Sequence, residues 1–522
     1  MVKRRLCAVL AGIAFLSACS FAPTYHAPAT ALPTQFKEAG GWQTARPADR
    51  IERDGWWKAF RDPVLDRLEV QVAAANPDVA AAMARHDEAG ALFDQARSGL
   101  FPTLGLGAGI SSNRASNTRP LRGATQPDVY GDNTLEAGFD YDLDLWGKVR
   151  NEVAAGRATA QASADDLASV RLSLQASLAS AYFSLRGLDQ QQKLLADTID
   201  TYRHALKLTM SRHAGGIASD LDVSRAQTQL DSARASAEDV RARRALYEHA
   251  IATLTGVPAS TFSLAADLST AHLPSIPAGL PATLLQRRPD VAAAERRMAA
   301  ANAQIGVARA AFFPDITLGL VGGYQSSGLG HWLSAPNEIW SIGPSLMMTL
   351  FDGGRRQAIT DQAHAKLAEN GAKYRAVVLQ ACQQVEDNLA LTHHLGDEAD
   401  RQQEAFDAAE RTLALSMSRY RDGVVSYLDV VTAQTTELNT KIAMLELDTR
   451  RQLAAVGLIA AIGGGWSGEG ADGSAMADAH GGAAAGAAPA AASGVAAAVP
   501  VAASSAALSN SNSTGARDAT RI

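Results

Sequence analysis

A chain of 522 residues is too long for a small module held together by disulfides or a metal, and its internal organisation must decide how many domains it holds. The net charge of −6, with 48 basic against 54 acidic residues, leaves no basic excess for nucleic acid to bind. Hydrophobic residues reach 47%, but much of that is alanine and aromatics are only 6%, which favours long helices packed along seams over a bulky globular core.

At the amino terminus, Lys3-Arg4-Arg5 precedes an apolar run from Leu6 to Leu16 and then small residues, the pattern of an export signal. The run is short of the roughly 20 apolar residues a spanning helix needs, and no later segment approaches that length. Leu16-Ser17-Ala18-Cys19 resembles a bacterial lipobox. On that reading residues 1–18 are removed, and Cys19 carries a thioether diacylglycerol and an N-acyl chain. Ordinary signal cleavage beside an incidental cysteine is the alternative. Ser20 stands where an aspartate would resemble an inner-membrane retention signal. Cys7 leaves with the signal, so Cys382 has no partner and no disulfide is expected.

The rest of the chain is duplicated. Pro77-Asp78-Val79-Ala80-Ala81-Ala82 returns as Pro289-Asp290-Val291-Ala292-Ala293-Ala294, and Ala96-Arg97 with Phe101-Pro102 returns as Ala308-Arg309 with Phe313-Pro314. Further on, Ser211-Arg212, Gly216, Ser219, Leu221-Asp222-Val223 and Ala226-Gln227-Thr228 return as Ser418-Arg419, Gly423, Ser426, Leu428-Asp429-Val430 and Ala433-Gln434-Thr435. Three collinear matches imply two repeats with one order of elements. The expected divisions are a lipidated segment at 19–62, a first repeat at 63–255, a linker at 256–281, a second repeat at 282–466 and an Ala/Gly/Ser-rich tail at 467–522. The tail has little to bury, and disorder is expected for it.

In each repeat a helix stops at a proline, Pro102 or Pro314, and strands follow. Leu104, Leu106, Ala108 and Ile110 alternate with glycine and serine, and Ile316, Leu318, Leu320 and Tyr324 repeat the pattern. The return strands place Leu135, Ala137, Phe139, Tyr141, Leu143 and Leu145 opposite Glu136, Asp140, Asp142 and Asp144 in the first repeat. In the second, Trp340, Ile342, Leu346, Met348 and Leu350 stand opposite Ser341, Ser345 and Thr349. All four suit a tilted membrane-spanning strand of about 9–11 residues. Four strands cannot close a barrel, and open edges are not tolerated in lipid, so a barrel must be shared between chains. Two copies give 8 strands and three give 12, and both numbers close.

Long proline-free helices follow at roughly residues 149–213 and 355–420. At 1.5 Å per residue, each extends roughly 95 Å and must project from a compact body. Leu167, Val170, Leu174, Leu178, Ala181, Leu185 and Leu188 step by threes and fours, as do Leu428, Val431, Thr435, Leu438, Ile442 and Leu445, which reads as packing seams. Each helix ends near Gly215-Gly216 or Gly423 and resumes at Ser219 or Ser426, making two helical hairpins.

The lipobox, Trp56-Trp57 with Phe60 and Asp62-Pro63, the run from Tyr141 to Lys148, Leu350-Phe351-Asp352-Gly353-Gly354 and Gly463-Gly464-Gly465-Trp466 together resemble the NodT-type efflux lipoproteins of the TolC superfamily. That resemblance spans residues 19–466 and implies a mainly α fold with transmembrane β: duplicated helix-strand-strand-helix repeats, a trimeric 12-stranded β-barrel and a 12-helix tunnel. It implies three copies, an outer-membrane location reaching into the periplasm, and docking onto a periplasmic adaptor joined to an inner-membrane RND transporter. Gly216, Ser219, Leu221, Gly423, Ser426 and Leu428 correspond to adaptor-contact tips. Asp222, Arg419, Tyr420 and Asp429 correspond to the periplasmic gate, although Thr432 replaces an aspartate common in relatives.

No enzyme constellation accompanies these features, and no cofactor beyond the acyl chains is expected. His393-His394 with Asp397 and Glu398 suggests a metal site, but adjacent helical histidines point about 100° apart, so a solvated face is the reading taken. A pore-free periplasmic coiled-coil lipoprotein and a protein-secretion duct are the competing functions.

Overall fold

The computed structural model describes residues 20–26, 36–39, 55–116, 118, 127–269, 272–274 and 288–464. Cys19, the signal, residues 275–287 across the end of the linker and the start of the second repeat, Gly465, Trp466 and the tail lie outside them. Within the described residues the two repeats match almost element for element. Helix α1 (Pro63–Ala75) leads into α2 (Pro77–Ser98), strands β1 (Thr103–Arg114) and β2 (Val129–Asp142), then α3 (Lys148–Ala214) and α4 (Asp220–Leu254). The second repeat runs α5 (Pro289–Ala310), β3 (Asp315–Ser326), β4 (Glu338–Met347), α6 (Arg355–Arg421) and α7 (Tyr427–Ala461). Helices α3 and α6 each hold 67 residues, and α4 and α7 each hold 35. At 1.5 Å per residue the long pair extends about 100 Å. No described helix is long and apolar enough to cross a membrane.

Helix starts are chemically specified. Asp62 caps α1 by accepting from the backbone N–H groups of Val64 (2.9 Å) and Leu65 (3.1 Å), with Pro63 at the first position, where its missing N–H costs nothing. Asn76 caps α2 in the same way, ahead of Pro77. The turns from sheet to long helix explain two of the family motifs. Asp144 accepts from Val149 N–H (3.1 Å) and Arg150 N–H (2.9 Å) across Gly147, and Asp352 accepts from Gly354 N–H (3.1 Å) and Arg356 N–H (3.2 Å). Gly147 at φ 76° and Gly354 at φ 91° hold left-handed backbone that a side chain would strain.

These turns also shorten the return strands. Leu143 donates one last bond to Ile316 O (2.9 Å) before the chain leaves the sheet, and Leu145, Met348 and Leu350 lie beyond it. The apolar alternation outruns the strands because Asp144 and Asp352 already serve the next helix. The seam expected along α7 needs a second correction. Leu428 and Thr435 are exposed and Val431, Leu438, Ile442 and Leu445 half-buried, while Tyr427, Val430, Ala433, Gln434 and Leu447 make the buried face. The α3 seam is buried at Leu167, Leu178, Ala181, Leu185 and Leu188.

The largest core lies where α1, the middle of α3 and α6, and the ends of α4 and α7 converge. Trp56, Phe60, Leu178, Tyr182, Phe183, Ile251, Leu389, Leu458 and Ile459 fill it. Helix α7 passes close enough to α3 that a Cβ at Gly187 would collide with Thr449. Tyr182 donates to Asp62 Oδ2 (2.6 Å), so the residue that caps α1 also ties it to α3.

Glu69 of α1 is fully buried, and neither carboxylate oxygen has a hydrogen-bond partner among the described residues. Burial, helped by the Asp66 carboxylate one turn earlier, pushes its pKa from 4.5 up to about 9. The folded chain therefore keeps a proton that the unfolded chain releases, and stability falls as pH rises from about 4.5 to 9. Glu69→Gln is expected to stabilise the protein by roughly 3 kcal/mol at neutral pH and to flatten this dependence. Thermal unfolding of both proteins at pH 5 and 8 checks this; parallel shifts with pH in the two would contradict it.

Candidate functional site

The four strands form one antiparallel meander in the order β1-β2-β3-β4, so β1 and β4 are its open edges. Their register aligns side chains across all four strands. Leu104, Phe139, Leu320 and Ile342 share one row, and Leu106, Ala137, Gly322 and Trp340 the next. Tyr141, Leu318 and Pro344 continue the same face. The opposite face carries Thr103, Asp140, Gly319 and Gly343 in one row and Asp142, Thr317 and Ser345 in another. One-sided alternation is common in antiparallel sheets, but a packed core ordinarily covers the apolar side. Here that side is bare: Leu104 and Leu106 are each 79% exposed and Trp340 is 71% exposed. A bare apolar face of this extent calls for lipid or a partner to cover it.

At the sheet's lower margin, Trp146 donates to Pro314 O (2.8 Å) and stacks on Phe313 at 5.0 Å. Phe21 stacks on Phe313 at 4.5 Å and lies 6.5 Å from the Trp146 ring, so the three form one aromatic cluster. The described residues after Cys19 then run along α5: Asn302 donates to Pro23 O (2.7 Å) and Tyr25 donates to Glu295 Oε1 (2.7 Å). Cys19 itself lies outside the described residues.

The far ends of α3 and α6 turn sharply into α4 and α7. Gly216 at φ 74° and Gly423 at φ 75° end the long helices, and the next residues bond back, Ile217 N to Arg212 O (2.8 Å) and Val424 N to Arg419 O (2.9 Å). Ser219 and Ser426 begin the returning helices with capping boxes. Asp222 Oδ2 accepts from Ser219 N (3.2 Å) and Oγ (2.8 Å), and Asp429 Oδ2 accepts from Ser426 N (3.1 Å) and Oγ (2.9 Å). Each of these carboxylates thus has one oxygen engaged in building its own turn. Leu221, Leu428, Ile217 and Val424 stand exposed around them, with Ile217 at 76% and Val424 at 71%.

Of the residues matched to the gate, Arg419 is exposed on the last turn of α6 and Tyr420 is buried. The Tyr420 ring packs on Tyr427 (5.3 Å), in a cluster with Ala226 and Val430 that joins the two hairpins. Desolvation in this cluster pushes the Tyr427 phenol up to about 12, so that ring packs as a neutral group. Arg212 clamps the hairpins together: its guanidinium lies 4.6 Å from the Tyr420 ring and donates to Tyr420 O (2.9 Å) and Arg421 O (3.1 Å). Arg212 was not singled out from the sequence, although it is the repeat partner of Arg419. Gln229 adds a cross-hairpin bond to Thr435 Oγ1 (2.6 Å) that no repeat match signals.

A sheet greasy on one side and open at both edges, continued by helices about 100 Å long, defines a channel protomer of the outer-membrane type. Comparison with known proteins agrees. The family model described as "Outer membrane efflux protein" matches residues 68–257 and 280–464, and the chain belongs to that family. It is 32% identical over 454 residues to the antibiotic efflux pump outer membrane protein ArpC of Pseudomonas putida, covering 86% of this chain and 93% of that one. It is 30% identical to the cation efflux system protein CusC of Escherichia coli, covering 86% and 96%. Among solved structures, the outer-membrane channel OprN superposes with a TM-score of 0.79 at 30% identity, covering 86% of this chain and all of that one. The chain is therefore an outer-membrane efflux channel and not an enzyme.

Proposed function

We propose that three copies share one barrel, β4 of each pairing with β1 of the next to give 12 strands, and that α3, α4, α6 and α7 of the three build a 12-helix tunnel below it. The protein then serves a tripartite pump as its passive exit duct, with an inner-membrane transporter and a periplasmic adaptor supplying energy and connection. The bare, register-aligned apolar face of a sheet with two open edges carries this reading, because only closure satisfies edge backbone groups in lipid.

Anchoring by acylated Cys19 belongs to the same proposal. Its support is the docking of Phe21, two residues after Cys19, against Phe313 and Trp146 at the junction of sheet and long helix. Aromatic side chains favour the membrane interface. The exported compounds are not written in this chain: its relatives are named for antibiotics, toluene, pyoverdine and cations.

The adaptor is proposed to meet the tips through Ile217, Leu221, Val424 and Leu428, apolar side chains left in water around glycine turns. Gate control is proposed for the same end of the tunnel, where threefold symmetry repeats Asp222, Arg419 and Asp429 around the axis. Val424→Asp with Leu428→Asp is expected to weaken adaptor binding by tenfold or more, at about 1–2 kcal/mol per buried anchor. Cells carrying the variant would lose efflux-dependent resistance, while the purified protein would still conduct in planar bilayers. Unchanged resistance at equal protein level would overturn the assignment of the tips.

A further inference from the structure

We propose that His393, His394 and Asp397 form a binding site for a divalent transition-metal ion on the surface of α6. Neighbouring histidines leave a helix about 100° apart, yet on this exposed face the two rings lie with centroids 5.2 Å apart at 53° to each other. Asp397 lies one turn on, with its Oδ2 3.9 Å from His393 Nε2. One ligand atom from each of the three residues falls within 4.8 Å of the others. Two atoms bound to one zinc at about 2.0–2.2 Å lie roughly 3.3–3.5 Å apart in tetrahedral geometry. All three side chains are exposed, so rotation about their bonds is free to narrow the remaining gap.

The backbone beneath is already fixed. Leu389 is fully buried in the main core, and Leu395 is buried against Leu447 and Ala454. The turn that presents the ligands is thus held from below, and binding has little backbone to order. The surrounding charge also favours a cation. Glu398 is paired with Arg450 (3.0 Å), whereas Asp397 has His393 as its ion-pair neighbour among the described residues. Two imidazoles and one carboxylate suit Cu2+, Zn2+ and Ni2+ and discriminate against Mg2+ and Ca2+, which prefer sets of oxygens. By the usual order of divalent affinities, Cu2+ binds most tightly. Water fills the remaining positions, and acidification weakens binding because the imidazoles must be neutral to coordinate. The site lies about 57 Å along α6 from its sheet end, far from both the barrel and the tips.

The test is calorimetric titration of Cu2+, Zn2+ and Mg2+ into the detergent-extracted full-length protein, with electron paramagnetic resonance of the Cu2+ form. One saturable Cu2+ site per chain is expected, with nitrogen hyperfine structure from two imidazoles, weaker Zn2+ binding and no Mg2+ heat. His393→Ala and His394→Ala should each cost at least about tenfold in affinity, and Asp397→Asn should weaken binding without removing the nitrogen signature. All three positions are exposed, so the variants are expected to melt like the parent without metal. Absence of saturable binding, or survival of the same site in the His393→Ala, His394→Ala double variant, would overturn the proposal.

Discussion

Leu106→Arg combined with Leu320→Arg is expected to abolish assembly of the barrel, while Asp140→Arg on the other face leaves assembly intact. Leu106 and Leu320 lie in adjacent rows of the apolar face, and Asp140 lies on the polar one. An arginine facing the middle of a bilayer costs about 2–4 kcal/mol per site in an outer-membrane barrel. With two sites in each of three chains, the penalty comes to roughly 12–24 kcal/mol per barrel. Per chain that is about 4–8 kcal/mol, a large share of the roughly 5–15 kcal/mol by which a folded domain is ordinarily stable. Asp140→Arg instead places its side chain beside glycines in a water-filled lumen, where Gly319 and Gly343 leave room. It should alter ion selectivity in planar bilayers. Protein abundance in the outer-membrane fraction and gel mobility of the unheated oligomer report both outcomes. Equal tolerance of arginine on the two faces would contradict the assignment of lipid and lumen sides.

Asp189→Leu is expected to destabilise each chain by about 3–5 kcal/mol, the cost of leaving buried cations without their counter-ion. The Asp189 side chain is inaccessible to solvent, and three donors converge on it: Arg186 Nη1 at 3.0 Å, Arg244 Nε at 2.6 Å and the backbone N–H of Asp267 at 3.2 Å. The same arginines donate to Ala265 O (2.8 Å) and Leu264 O (2.6 Å), and Glu248 accepts from Leu264 N–H (2.6 Å). The network therefore straps the segment after α4 across the middle of the first hairpin. Losing Asp189 should lower the thermal midpoint and expose residues 262–269 to proteolysis. Replacing Arg186 by Met in the same chain should recover much of the loss, since an apolar substitute of similar size needs no counter-ion. Destabilisation no greater than that of a surface substitution would show the strap to be dispensable.

That network was invisible in the sequence because each member is an ordinary charged residue on a helix, where solvation is the normal fate. Burial comes only when residues 262–269 fold back, and no local pattern announces it. The long helices were legible to within a residue or two because nothing but proline or left-handed glycine stops so favourable a run, and those signals stood at their ends. The strands were legible from alternation, but their exits were not, since Asp144 and Asp352 read equally well as strand residues and as caps. The α7 seam misled because it weighed large aliphatic side chains. The helices approach so closely that Ala433, Gln434 and Ala454 are buried instead, and Leu428 stays in water. At the tips, Ser219, Ser426 and the two glycines were found from the repeat, whereas the Arg212 clamp needed the two hairpins side by side.

Native mass spectrometry of the protein extracted from outer membranes tests the central claim most directly, because it counts the copies that close the barrel and weighs each of them. The account predicts a trimer whose subunits begin at Cys19 and carry the added mass of diacylglycerol and one N-acyl chain. A monomer or dimer stable in mild detergent would contradict the shared barrel, and a trimer without added acyl mass would contradict the anchor alone.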